Sequence, residues 1–406
     1  MYYEVVISVK KAEKLVLQEA KSFGNEKISF LNSLHRVLIR PIKADRDYPP
    51  FDRSTMDGIA ISFDAYKKGI HEFKIAATLS AGQKPKEITD SNECVKIMTG
   101  AALPASCDTV IPVEDLMIKD NIAIVSTNNV EKGQFVHKKG VDKKKSEVVL
   151  RKGIVITPEV TPVLASVGKA YISVAKLPKV VIISTGDELV NVDQKPNEYQ
   201  IRRSNDYAIW TVISLYGIKA DVVHLKDNEH KLKDNISEYL KNYDLIIISG
   251  GVSKGDFDYV YKVLLDLKVK KIFHGIAQKP GKPMWFGKYK KTTVFALPGN
   301  PVSSFMCANR YILPYLSKCL GFNRKPTIDT AVLEFDIPAN PKLTLFTQAS
   351  LETDNSGRLL AIPIVHHGSG DFMSMVGADA FVELPPKTKP YKKGSACKIW
   401  QIKNIL

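Results

Sequence analysis

Apolar residues recur along this chain in several rhythms, and each rhythm marks a region. Near the start, Ala12, Leu15, Val16, Ala20 and Phe23 share one helical face. Ser8 stands where a helix cap belongs and Gly24 where a helix stops, so a helix is predicted between them. A second short helical stretch is predicted at 31–38. From Pro41 to about Val149 the helical period disappears. Short apolar runs at 58–61, 94–98 and 121–125 alternate with Gly and other turn residues, which predicts a β-rich region. It ends in a Lys-heavy stretch around 143–145. Thr157-Pro158-Glu159 then predicts a helix that stops at Gly168, followed by a strand at 170–174.

From 179 to about 321 near-continuous Val/Ile/Leu runs alternate with helical patterns. Strands are predicted at 180–184, 220–225, 245–249, 271–277 and 293–297, with helices such as 205–216 and 229–240 between most of them. That alternation predicts a parallel α/β sheet. The last stretch, from about 326, alternates like a small β-barrel or sandwich. No internal repeat is visible. The expected fold class is multidomain α/β plus β. A small linking region of helix and strand takes 1–40 and 146–178, and a β-rich lobe takes 41–145. A parallel α/β domain takes 179–326, and a C-terminal β-barrel takes 327–406.

Composition narrows the function. The 406 residues are 44% hydrophobic and 25% charged, ordinary globular values that leave room for two to four domains. No apolar run reaches the roughly 18 residues of a membrane span, and the N-terminus lacks a signal-peptide pattern, so the expected location is cytoplasmic, without membrane attachment. The net charge of +15 raises the question of nucleic acid, but only 10 of the 58 basic residues are Arg, and the lysines are spread along the chain. Base readout relies on Arg forks, so no nucleic-acid partner is expected. The charge instead suits attraction of small anions. The five cysteines form no C-x-x-C pair, which argues against a zinc ribbon or a disulfide framework. Cys307 and Cys319 fall on a predicted helix as core-filling residues.

The candidate chemistry lies where the α/β strands end, the edge at which open α/β sheets bind ligands. The strand exits read Ser184-Thr185-Gly186-Asp187-Glu188, then Lys226-Asp227-Asn228, then Gly250-Gly251-Val252-Ser253-Lys254-Gly255-Asp256-Phe257-Asp258. The fourth and fifth read Gln278-Lys279-Pro280-Gly281-Lys282-Pro283 and Pro298-Gly299-Asn300-Pro301-Val302-Ser303. Gly-rich loops let backbone N–H groups approach an anion. Lys279 and Lys282 supply point charges. Asn300 can cap a helix begun by Pro301, and a helix N-terminus attracts phosphate-like anions. Glu188, Asp227 and Asp258 are hard oxygen ligands suited to Mg²⁺ held together with substrate phosphates. Each carboxylate taken singly reads equally well as a solvated turn residue. No P-loop and no G-x-G-x-x-G opening after the first strand is present. Two further dense stretches, Pro49 to Gly58 and Met98 to Pro104, lie in the β-rich lobe.

Six of these stretches occur in the same order in the MoeA family. They are 51–58, Thr99-Gly100-Ala101, Ser184 to Leu189, Gly250 to Ser253 with Asp258-Tyr259, Lys279 to Pro283 and Pro298 to Ser303. The chain therefore resembles the molybdopterin molybdenumtransferases, which include the C-terminal domain of gephyrin, over nearly its whole length. The resemblance implies an enzyme of molybdenum cofactor biosynthesis that takes adenylylated molybdopterin and molybdate. It would insert molybdenum into the dithiolene with Mg²⁺-dependent release of AMP. It further implies a homodimer with its site where two subunits meet, a MogA-like molybdopterin-binding α/β domain, and a MogA-type adenylyltransferase as a possible substrate-delivering partner.

Carried over by motif, the resemblance implies Asp227 and Asp258 as metal ligands, and Asp57, Thr99, Asp142 and Glu188 as residues needed for activity. Thr185, Gly186, Ser204, Asn205, Gly250, Gly251, Ser253, Lys279, Lys282, Pro298, Asn300, Ser303 and Ser369 fall at substrate-binding positions. Two departures stand out. Arg203 precedes Ser204-Asn205 where the family commonly has an acidic residue. Gln348 stands two residues after Phe346, where the family often has an Arg, which implies one oxyanion-binding Arg fewer. A MogA-type adenylyltransferase would share the α/β domain but neither the β-rich lobe nor the C-terminal barrel, and a non-enzymatic scaffold, as gephyrin also is for receptors, would be expected to show an extra adaptor domain or long linker.

Overall fold

The structure, a computed structural model, describes residues 6–252, 259–322 and 328–403. The chain divides into two compact units. One takes Met1–Arg40, Lys152–Thr161 and Tyr171–Leu406, and the other takes Pro41–Arg151 and Pro162–Ala170.

The first unit is built on a six-stranded mixed sheet. Its strands lie in the order Ala220–Leu225, Val180–Thr185, Leu245–Ser249, Thr292–Leu297, Trp285–Tyr289, Lys270–His274. The first four are mutually parallel. Trp285–Tyr289, absent from the sequence expectation, runs antiparallel to both neighbours, so the sheet is mixed and not purely parallel. Two antiparallel reversals turn Lys270–His274 back to the direction of the parallel four, so all five expected strands exit at one edge.

Alternate residues of each strand bury against opposite layers. Ile182, Ile247 and Phe295 face the helix Asn205–Ser214 and the helical run 301–320. Ile183, Ile248 and Val294 face the helices Glu229–Asn242 and Tyr259–Asp266. Covering on both faces explains why these strands read as unbroken apolar runs. The N-terminal helix Val9–Gln18 joins the first layer through Val9, Ala12 and Val16, and the Ser8 hydroxyl accepts from Lys11 N–H at 3.3 Å. It stops well before Gly24, though Ala20 and Phe23 still pack on the same core. The expected 31–38 helix is only the 3₁₀ turn Phe30–Asn32, because His35 takes a positive φ of 64° and the chain then bridges to 155 and 174.

The C-terminal part closes a five-stranded barrel in the cyclic order Thr344–Thr353, Leu359–Pro363, Ile328–Leu333, Ala396–Gln401, Ala380–Leu384 and back to the first. Closure leaves no free edge within the ring. A short sixth segment, Gln278–Lys279, pairs with Thr344 and Leu345, so the fourth α/β exit loop is hydrogen-bonded to the barrel.

The second unit holds a six-stranded sheet in the order Thr109–Pro112, Gly58–Ile61, Glu93–Ile97, Glu72–Leu79, Ile122–Val125, Leu116–Lys119. Gly58 is forced by contact, because a Cβ there would lie within 2.8 Å of the Ile111 carbonyl carbon. The helix expected from Thr157 begins later, at Val160, because the Thr157 carbonyl accepts from Val160 N–H at 3.0 Å.

Candidate active site

The strand exits of the α/β sheet and the facing rim of the barrel enclose a cavity of about 1250 Å³. The wall nearest the sheet is set by close backbone approach. Gly250 has φ +102°, and a Cβ there would stand 2.8 Å from Thr185 O and 2.9 Å from Thr185 Oγ1. Only glycine lets the first and third exits touch in this way. Asn205 ties the next element in. Its Nδ2 donates to Ser249 Oγ at 2.9 Å and to the Gly299 carbonyl at 2.6 Å, joining its helix to two strand exits. Ser249 Oγ lies 3.2 Å from Ser304 Oγ.

Those bonds leave polar capacity over. Thr185 Oγ1 and Asn205 Oδ1 are buried and have no hydrogen-bond partner among the described residues. Both side chains line the cavity, so both are available to a bound polar molecule.

The Lys279-to-Pro283 loop is fixed from below. Tyr311 Oη donates to Gln278 Oε1 at 2.5 Å, and Gln278 Nε2 donates to the Gly281 carbonyl at 3.2 Å and to Cys307 Sγ at 3.5 Å. Gln278 is fully buried, and burial pushes the Tyr311 phenol well above its ordinary range, so it remains a donor. Gly281, at φ +88°, has no room for a Cβ, which would fall 2.6 Å from Cys307 Sγ. On this base Lys279 and Lys282 are exposed into the cavity rim and have no ion pair among the described residues. Burial pushes the Cys307 thiol up to about 12, so it is an inert part of this packing.

Charge on the lining is uneven. Arg202, Arg203, Lys279 and Lys282 line the cavity together with Glu188 and Asp227. The excess of cations favours an anionic ligand, and the two carboxylates supply hard oxygens. Mg²⁺ commonly takes one or two carboxylates and completes its shell with water and substrate phosphate, so Glu188 and Asp227 fit it in kind. Among the described residues no cluster of three His, Cys, Asp or Glu side chains forms a cage complete in itself. Asp258 and Ser253 lie outside the described residues.

Thr185, Gly186, Glu188, Ser204, Asn205 and Asp227 therefore meet at one cavity, together with Gly250, Gly251, Lys279, Lys282 and Pro298. Asn300, Ser303 and Ser369 join them, with one correction. Asn300 occupies the N-cap position before Pro301, but its side chain makes no cap bond. Its Nδ2 donates instead to Ser369 Oγ at 2.9 Å, and Val302 N–H donates to the Ser369 carbonyl at 3.1 Å. Residue 300 thus latches the fifth exit to the barrel rim. The barrel also contributes Leu345, Phe346, Gln348 and His366, of which only Gln348 was visible as a candidate from sequence. Barrel strands alternate evenly, and nothing in that alternation marks the residues that end on a rim.

Asp57, Thr99 and Asp142 belong to the second unit. Asp57 Oδ1 accepts from both Thr99 N–H and Thr99 Oγ1 at 2.7 Å, and these bonds hold its carboxyl below the usual range. Asp142 pairs with His137 Nε2 at 3.0 Å, and His137 Nδ1 lies 3.3 Å from Arg53 Nη2. The three residues form two separate local clusters, Asp57 with Thr99 and Asp142 with His137 and Arg53.

Three family models match in sequence order. They are described as "MoeA N-terminal region (domain I and II)" over residues 7–168, "Probable molybdopterin binding domain" over 181–318, and "MoeA C-terminal region (domain IV)" over 330–402. A molybdopterin molybdenumtransferase of Synechocystis sp. is 37% identical over 96% of this chain and 98% of its own length. One from Staphylococcus epidermidis is 30% identical over 96% of this chain and 94% of its own length. The crystal structure of a molybdopterin biosynthesis MoeA protein from Pyrococcus horikosii is 30% identical, covers 98% of this chain and all of that one, and superposes with a TM-score of 0.83. The fold, the order of the motifs and near-full-length similarity agree, and the chain belongs to the MoeA family of molybdopterin molybdenumtransferases.

Proposed function

We propose that this chain acts in molybdenum cofactor biosynthesis as a molybdopterin molybdenumtransferase, inserting molybdenum from molybdate into adenylylated molybdopterin with Mg²⁺-dependent release of AMP. The observation that carries this reading is the single cavity in which two exposed lysines, two carboxylates and unpartnered Thr185 and Asn205 atoms meet. Its volume accommodates a large, polar, multiply anionic ligand. Thr185 Oγ1 and Asn205 Oδ1 would bind and orient polar groups of the pterin substrate. Lys279 and Lys282 would hold the tetrahedral molybdate dianion, their loop kept rigid by two prolines and by Gln278. Glu188 and Asp227, with Asp258, would hold Mg²⁺. Mg²⁺ held by these carboxylates would supply charge neutralisation on phosphate oxygens during hydrolysis of the phosphoanhydride. Asp57, Thr99 and Asp142 are proposed as further activity residues in a homodimer. A cytoplasmic location and substrate delivery by a MogA-type adenylyltransferase belong to the same reading.

The test is incubation of the full chain with adenylylated molybdopterin, Mg²⁺ and molybdate. AMP release that requires both molybdate and Mg²⁺ supports insertion. Release indifferent to molybdate, or none at all, rejects it. Sedimentation at micromolar concentration tests the dimer, and a monomer rejects that part.

A further inference from the structure

Arg203 precedes the Asn205 helix at the position commonly acidic in the family, and it lines the cavity with its side chain only 12% exposed. A guanidinium so withdrawn from water needs compensation. Asp206, whose side chain is 0% exposed, stands 3.5 Å from Arg203 Nε. That carboxylate is itself held in place, because Oδ1 accepts from Tyr207 N–H at 3.0 Å and Oδ2 from Ser184 Oγ at 3.2 Å. Arg203 Nη2 donates to Tyr207 Oη at 3.0 Å, and its Cζ lies 5.3 Å from the Tyr207 ring centroid. His224 Nδ1 lies 3.2 Å from Ser184 Oγ. The His224 imidazole is held below its ordinary range chiefly by burial and next by the Arg203 charge.

The guanidinium is therefore fixed in place without being used up. Its contact with Asp206 is an ion pair, not a hydrogen bond, and Nε has no acceptor among the described residues. Nη1 makes no hydrogen bond among them either. With Nε turned to Asp206 and Nη2 bonded to Tyr207, Nη1 keeps its donors free in a cavity that Lys279 and Lys282 also line, and a charged donor there matches an oxygen of a tetrahedral anion.

We propose that Arg203 is a third cation of this anion site, binding a tetrahedral dianionic oxyanion on the side built by Val180–Thr185 and Asn205–Ser214. Free molybdate and the phosphate ester of a nucleotide share that chemistry. The assignment rests on the functional reading above for the identity of the substrate, but not for anion binding itself.

The experiment is calorimetric titration of the full chain, at fixed ionic strength, with molybdate, with AMP and with adenosine. Arg203→Met alone would leave Asp206 buried and unpaired, so the main variant is the double change Arg203→Met with Asp206→Asn, which removes both charges together. Arg203→Lys accompanies it, keeping the charge and losing the planar guanidinium. Charge-assisted hydrogen bonds imply weakening of about tenfold or more in the double variant for one dianion, with less in Arg203→Lys and no change for adenosine. A loss confined to molybdate assigns the free oxyanion, and a loss confined to AMP assigns the ester phosphate; either supports the proposal. Unchanged binding of both anions in a double variant with native near-UV circular dichroism overturns it. So does equal weakening of adenosine, or a wild-type chain that binds neither anion. If the wild type binds anions through Arg203 yet releases no AMP from adenylylated molybdopterin, the functional reading fails and this assignment stands.

Discussion

The pairing of Tyr311 with Gln278 offers a sharp test of how the anion loop is held. Gln278→Leu keeps the side-chain volume but removes an acceptor and a donor at a position that is 0% exposed. The Tyr311 hydroxyl and the Gly281 carbonyl then lose their partners in buried surroundings. At about 1–3 kcal/mol for each of the two orphaned groups, the loss is about 2–6 kcal/mol. Tyr311→Phe orphans only Gln278 Oε1 and costs about 1–2 kcal/mol. The double variant leaves the Gly281 carbonyl as the main orphan, so it costs less than the sum of the singles by about 2–5 kcal/mol, the contribution of the two groups no longer orphaned. All three tryptophans, Trp210, Trp285 and Trp400, lie in the first unit, so urea unfolding followed by tryptophan fluorescence reports this unit. A loosened loop also predicts a higher molybdate concentration for half-maximal AMP release, with smaller change in binding of the pterin. Strictly additive stability losses, or single variants indistinguishable from wild type, would refute the network.

Asp227→Asn, and likewise Asp258→Asn, is expected to abolish Mg²⁺-dependent AMP release while the fold is kept; retained activity with unchanged metal dependence rejects the metal assignment. Lys279→Ala and Lys282→Ala should each raise half-saturating molybdate about tenfold, from the loss of a charge-assisted contact. Wild-type behaviour of both across a molybdate titration places the anion elsewhere. The folded imidazole of His224 has its pKa lowered below 6.5, by burial first. The unfolded chain therefore takes up the proton more readily, and this contribution to stability is present above pH 6.5 and is lost as pH falls through the folded value. His224→Gln should flatten the stability profile between pH 7 and 5, and an unchanged slope removes His224 as its source.

What was legible in the sequence follows from how each element is stabilised. Strands such as Leu245–Ser249 sit between two helical layers, so every residue is buried, the first four are apolar, and the run announces itself. The site was legible because open α/β sheets gather ligands at one edge, and Gly, Lys and carboxylates crowd the exits there. Trp285–Tyr289 was not legible because Gly287 interrupts it. That glycine serves a close approach within the sheet, since a Cβ would overlap the Trp285 ring and lie 2.7 Å from Lys270 O. The cap role of Asn300 failed for a tertiary reason, because Ser369 competes for its side chain. Leu345 and His366 gave no signal, since only barrel closure brings them to the cavity.

The helical run 301–320 explains why the loop, the barrel and the N-terminal helix act on one site. It begins beside the cavity at Pro301–Cys307, passes through a π turn at Ala308–Ile312, and resumes as Leu313–Leu320. A π turn is costly and is found mainly where a side chain must be aimed. Here it presents neighbouring residues to different partners. Tyr311 reaches Gln278 and the lysine loop, whereas Arg310 reaches Glu13 of the N-terminal helix at 2.9 Å and Glu383 of the barrel at 3.2 Å. Arg310 also lies 4.0 Å from the Trp400 ring centroid, and Trp400 Nε1 donates to Glu383 at 2.7 Å. Arg310 and Glu383 are 3% and 8% exposed, so removing either leaves the other as a poorly solvated charge. The ion pair therefore contributes position more than net stability. It sets where the barrel meets the helix, and through Ser369 and the paired Gln278–Lys279 segment it sets where the barrel rim meets the anion loop.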